Sequence, residues 1–159
     1  MSNSEFRKIE FQSFDEVIAE AKVLLEGHVA HGNWNYVQTC HHLANWMRFP
    51  VEGFPKSGFP LNFMLWILKL TMGKGMIRKI LANRAMKAGS PTMPQSISTP
   101  DASSEAEALQ ELEAAIQQFR NHSGEYIPSP LFGQLDRKKS EQLQLIHCAH
   151  HFGFLAPRS

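Results

Sequence analysis

Repeated helix-start signals, each followed by apolar residues at three- and four-residue spacing, constrain this chain more than anything else in it. Ser13-Phe14-Asp15-Glu16 has the form of a capping box, with Ser13 as N-cap and Glu16 three positions on. Behind it, Phe14, Val17, Ile18, Ala21, Leu24 and Leu25 line one face of a helix. Ser104-Glu105-Ala106-Glu107 repeats the signal, with Thr99-Pro100 as an alternative start, ahead of Leu109, Leu112, Ile116 and Phe119. Asp136 is a good N-cap for a last helix that carries Leu143, Ile146, His147, His150, His151 and Phe154. A further helix fits Asn35 to Arg48, with Tyr36, Cys40, Leu43 and Met47 on one face and Phe49-Pro50 as its stop. No stretch reads as a strand, and no internal repeat is visible. The pattern predicts an all-α fold, four long helices packed as a bundle, in a single domain over residues 1–159.

The connections carry their own signals. Gly27 and Gly32 end the first helix, and a Gly/Pro-rich stretch runs from Gly53-Phe54-Pro55 to Phe59-Pro60. Asn62 to Lys87 reads as an extra short helical segment between the second and third long helices, in two pieces broken near Gly73-Lys74-Gly75. Ala88 to Ser98 reads as an irregular loop, and a loop with Gly124, Pro128, Pro130 and Gly133 precedes the last helix.

A formal net charge of +1 argues against a protein built mainly to hold nucleic acid. The charge is unevenly placed. Gly53 to Pro100 contains Lys56, Lys69, Lys74, Arg78, Lys79, Arg84 and Lys87 and no acid, whereas Asp101 to Glu125 has six acids and only Arg120 as a base. Two complementary faces, near each other or at an oligomer contact, explain this most simply. A role for the basic segment toward phosphate, an acidic ligand or a membrane surface is the other reading. The longest apolar run, Phe63 to Leu68, is far short of a membrane span. The N-terminus lacks the apolar core of a signal peptide, which points to a cytoplasmic protein. Cys40 and Cys148 are too few for a disulfide framework. Small buried apolar residues are the simpler reading, although each lies beside histidines, which keeps a thiol ligand or a reactive thiol as the alternative.

Five of the eight histidines fall in two short helical segments, His41-His42 and His147 to His151. His147 and His151, at i and i+4, stand one above the other about 6 Å apart along a helix axis. They lie on the stripe marked by Leu143 and Phe154, so they should point inward. Buried imidazoles without partners are costly. A third imidazole from another helix would complete a site for a divalent ion, with zinc, nickel, copper or iron(II) as suitable metals and zinc or nickel foremost. Hydrogen-bonded core histidines are the alternative on spacing alone.

The segment Asn33-Trp34-Asn35-Tyr36-Val37-Gln38-Thr39-Cys40-His41-His42-Leu43-Ala44 resembles the second-helix signature of the DinB-like superfamily. More narrowly it resembles the branch known as domain of unknown function 1569, which tends to read W-S-x-G-Q-x-C-Q-H-L-A here. That branch also carries a turn like Glu52-Gly53-Phe54-Pro55 and a segment like Ser129-Pro130-Leu131-Phe132-Gly133-Gln134-Leu135-Asp136. Its last helix ends in H-x-x-x-H and an aromatic, as His147 to His151 and Phe152 do. The resemblance implies a DinB-like four-helix bundle whose metal ligands are His42, His147 and His151. His42 rather than His41 takes the family position because it directly precedes Leu43-Ala44. Gln38, one turn earlier, then becomes a pocket residue or a support for His42, and His41 and His150 become bystanders. Ser129 replaces a frequent histidine of the branch, and Ser140 stands near a frequent tryptophan, which implies looser packing where the last helix begins.

Three ligands leave a coordination position free, as in catalytic rather than structural sites. Hydrolysis is one expectation. Thiol transfer is the other, since bundles related by this resemblance include thiol-dependent transferases and a mycothiol-dependent isomerase. The corresponding partner is a small-molecule substrate, including a low-molecular-weight thiol. Glu141 and Glu125 are candidate bases only if folding brings them close. A non-catalytic metal- or ligand-binding bundle and an interaction module built on the basic segment are the remaining classes. A homodimer through helix faces is compatible with any of them.

Overall fold

A computed structural model describes residues 6–88, 96–97 and 104–158. The chain is mostly helical. Helix α1 spans Phe14–Glu26, α2 Tyr36–Glu52, α3 Leu61–Leu68, α4 Lys74–Asn83, α5 Glu105–Asn121 and α6 Arg137–Phe152. A π-helical stretch, Lys69–Gly73, joins α3 to α4. The core is formed by the inward stripes of α1, α2, α5 and α6: Val17, Ala21 and Leu24, then Tyr36, Cys40, Leu43 and Met47, then Leu112, Ile116 and Phe119, and finally Cys148 and Phe152. Each large apolar side chain fully removed from water contributes roughly 1.5–3 kcal/mol. Helix α2 packs most extensively on α5, and α1 bridges α5 and α6.

The N-caps at Ser13, Ser104 and Asp136 lie where the sequence places them. Ser104 and Glu107 close a full capping box. At α1 the box is displaced: the Ser13 hydroxyl accepts from the Glu16 amide, while the Glu16 carboxylate accepts from the Gln12 amide at 2.7 Å. The alternative start at Thr99-Pro100, and most of the loop from Ala88 to Ser98, lie outside the described residues.

Four expectations need correction. Strands do exist: β1 (His28–Ala30) and β2 (Leu155–Pro157) pair antiparallel, with Val29 opposite Ala156. Each is only three residues long and its partner lies at the other end of the chain, so no local alternation announces it. The last helix ends at Phe152, and Phe154 follows it. The segment from Leu61 to Asn83 is not broken at Gly73-Lys74-Gly75; the wider π turn carries it through as one continuous helical stretch. Gly73 is needed there because a Cβ would drive into the Leu131 carbonyl oxygen. Gly73→Ala is therefore expected to cost on the order of 1–3 kcal/mol in denaturant unfolding, the usual penalty for overpacking.

The fourth correction is at Pro50, which does not stop α2. The helix continues to Glu52 and is capped by Gly53. Proline at this position has no N–H for the Trp46 carbonyl, which would be left orphaned. The Gln144 side-chain amide donates to that carbonyl at 2.8 Å. The same bond clamps α6 to α2. Gln144→Leu removes the donor and strands the carbonyl, so we expect a loss of about 1–3 kcal/mol in chemical denaturation.

Two acids of α5 turn toward α1 and α2. Glu111 pairs with Arg48 at 2.6 Å and with His41, and Glu113 pairs with Lys22 at 3.1 Å. Arg84 of the basic segment lies 3.6 Å from Glu10 instead. Among the described residues no helix is long and apolar enough to cross a membrane.

Candidate metal centre

Helices α2 and α6 bring three imidazoles together. Helix α2 is fixed at its start by Asn35 and Gln38, which form a reciprocal capping box. The Tyr36 hydroxyl also donates to the Ala21 carbonyl at 2.8 Å, tying α2 to α1. Gln38 thus serves as a helix cap, its side-chain oxygen accepting from the Asn35 amide at 3.0 Å. Two turns into α2 stands His42, 1% exposed. On α6, His147 is buried and His151 half-buried, and the Gln144 clamp lies three residues before His147.

His147 Nε2 lies 3.2 Å from His42 Nε2 and 3.0 Å from His151 Nε2. One available nitrogen from each ring falls within 4.8 Å of the others. Hydrogen bonding alone satisfies this arrangement poorly. An imidazole nitrogen carries either one N–H or one in-plane lone pair, so His147 Nε2 can complete only one of its two contacts. Tetrahedral zinc, with Zn–N bonds of about 2.0–2.1 Å, instead sets its nitrogen ligands about 3.3 Å apart. The tautomer of His42 follows from its other nitrogen. Nδ1 lies 3.2 Å from the Ser96 carbonyl and must donate to it, which leaves the Nε2 lone pair facing the other two rings.

Burial also keeps the three rings neutral. It pushes the His42 pKa down to about 4, against a smaller upward pull from the Ser96 carbonyl. His147 is held well below its ordinary value by burial and then by the neighbouring His151, His42 and His150. His151 is shifted the same way by burial, His42 and His150. Neutral imidazoles with converging lone pairs have the protonation state that metal ligation requires.

Two tryptophans wall the cluster. Trp34 stacks on His151, with centroids 5.0 Å apart and planes 4° apart, and lies 4.7 Å from the His42 ring. Trp46 sits 5.4 Å from His147 and 6.2 Å from His42. Charge, periodicity and ligand spacing give neither tryptophan a role. Trp46 was detectable as i+4 from His42 on the same helix. Trp34 precedes α2, and its signal is its place at the head of the family-like segment Asn33 to Ala44 rather than any helical spacing. Behind Trp46 a shallow cleft runs between Pro50, Phe54, Phe132 and Leu143, with the small Ser140 at its wall.

The other candidates fall away from the cluster. His41 is engaged with Glu111. His150 packs between Phe6 and Phe154. Burial pushes the Cys40 thiol up to about 12 and raises Cys148 strongly, so both behave as buried apolar residues at neutral pH. Glu141 lies 3.8 Å from Arg137 and Glu125 is exposed; among the described residues no carboxylate joins the three histidines. The Ser129 hydroxyl accepts from the Leu131 and Phe132 amides and shapes its own loop.

The fold and the cluster define a mostly helical protein with a three-histidine group that could hold a metal ion. A model of the family described as protein of unknown function (DUF1569) matches residues 3–158, and the chain belongs to that family. No curated protein and no solved structure matches it.

Proposed function

We propose that this single-domain protein is a DinB-like four-helix bundle of α1, α2, α5 and α6, and that His42, His147 and His151 hold one divalent ion, zinc or nickel. The observation that carries the reading is the approach of His147 Nε2 to both neighbouring Nε2 atoms at once. Bound there, the ion would supply Lewis acidity to a water or a small thiol at its free position. The chain's own contribution is to hold three neutral lone pairs in place. Ser96 fixes the His42 tautomer, Gln144 fixes the distance between α2 and α6, and Trp34 and Trp46 shield the rings from bulk water. The function this supports best is metal-dependent hydrolysis or thiol transfer on a small molecule.

A non-catalytic metal- or ligand-binding bundle is the second reading. It is favoured by one observation, the absence of a carboxylate from the cluster among the described residues, since such a group would move the proton in a hydrolysis. Cobalt substitution distinguishes the two. If the free position is open, adding azide or a small thiol to the cobalt-loaded protein shifts its visible absorption bands. An unchanged spectrum at saturating ligand would leave only the non-catalytic reading.

A further inference from the structure

Helix α3 is apolar at every position but Asn62, yet none of its residues is buried. A helix apolar all round belongs in a core or a bilayer, not in water. Phe63, Ile67 and Leu70 recur at i, i+4 and i+7 and are 54%, 40% and 63% exposed, with Phe59 at 86% ahead of them. Trp66, itself half exposed, stacks on Phe63 with centroids 5.9 Å apart. A contiguous exposed apolar stripe of this kind marks an interaction surface rather than scattered surface residues. It runs directly into the exposed bases Lys74, Arg78 and Lys79 of α4, within a 48-residue stretch (53–100) that contains no acid.

Charge decides which partner fits. A twofold contact between copies could cover the apolar stripe but would leave Lys74, Arg78 and Lys79 in need of acidic partners on the other copy. The acids of α5 offer a second copy little, because Glu111 and Glu113 are paired within the chain, Glu107 closes its own helix cap and Glu105 lies 3.9 Å from His28. Nucleic acid would use the bases but would leave Ile67, Leu70 and Met72 without a stacking or apolar partner. An anionic lipid surface satisfies both sets, with apolar side chains at the acyl boundary and bases among the lipid phosphates. We propose that α3, the π turn and α4 form an in-plane docking element for anionic membranes.

The test is co-sedimentation of the full chain with phosphatidylcholine vesicles, with and without added phosphatidylglycerol. Binding should require the anionic lipid and fall steeply with salt. Lys74→Glu, Arg78→Glu and Lys79→Glu together should weaken it by about a hundredfold. Phe63→Ser with Leu70→Ser should abolish it while circular dichroism stays unchanged, because these side chains are exposed. Vesicles should shift tryptophan emission to the blue in the wild type and not in Trp66→Phe, which should still sediment. The proposal is overturned if the wild type ignores anionic vesicles, or if the charge-reversed variant binds as well as wild type. A wild-type dimer that Phe63→Ser dissolves, or oligonucleotide binding in place of vesicle binding, would also overturn it. A variant lacking His42, His147 and His151 should sediment like wild type, so this outcome is independent of the metal reading.

Discussion

Replacing His147 by alanine should lower zinc or nickel affinity by at least about a thousandfold, the scale expected when a ligand rather than a supporting contact is lost. His147 stands at the centre of the group, its Nε2 being the atom shared by both short contacts, 3.2 Å to His42 and 3.0 Å to His151. His42→Ala and His151→Ala should be similarly severe, since each leaves only two imidazoles. The neighbours give the contrast. His150→Ala and Cys148→Ala alter α6 beside the ligands without removing a converging nitrogen, and His41→Ala removes one of the two ion-pair partners of Glu111, Arg48 being the other. These three should retain affinity within a few-fold of wild type, as measured by competition with a chromophoric chelator. If His41→Ala or His150→Ala proved as damaging as His147→Ala, the assignment of ligands would be wrong.

The second large effect concerns acid. In the metal-free protein the three histidines are folded in their neutral state, with pKa values below the ordinary 6.5. As pH falls below 6.5 the unfolded chain takes up protons that the folded chain refuses, so stability is full above 6.5 and declines below it. His42, held at about 4, contributes about 3 kcal/mol of this loss between pH 6.5 and pH 4. His147 and His151 act in the same direction. Urea unfolding of the metal-free protein should therefore show a midpoint that is flat above pH 7 and falls steeply toward pH 4. In the His42→Ala, His147→Ala, His151→Ala variant the fall should be much shallower. An equally steep decline in that variant would place the acid sensitivity elsewhere.

Much of this could be read in the sequence because the governing physics is local. Capping by Ser13, Ser104 and Asp136 depends on residues three positions away, and α6 turns His147 and His151 to the same side by helical phase alone. His42 is different. Spacing could not choose it over His41, and the choice rested on its resemblance to a family motif; the structure brings His42 to the other two and turns His41 to Glu111. What stayed hidden depends on distant parts of the chain. Pro50 reads as a helix stop unless Gln144, 94 residues later, is known to take the Trp46 carbonyl. The pairing of β1 with β2 joins residues 28–30 to residues 155–157, three residues on each side and far apart in the sequence. Ser96 sets the His42 tautomer through its backbone carbonyl, a group every residue has and no motif can mark. Gln38 lies on the right helix but is used for its cap.

The central claim is that His42, His147 and His151 hold one ion together. Elemental analysis of the wild type, purified and then dialysed against zinc or nickel, tests it most directly beside the variant with all three changed to alanine. A single tightly held ion per chain is expected in the wild type and none in the variant. Full occupancy in the variant, or a wild type that retains no ion after saturation, would contradict it.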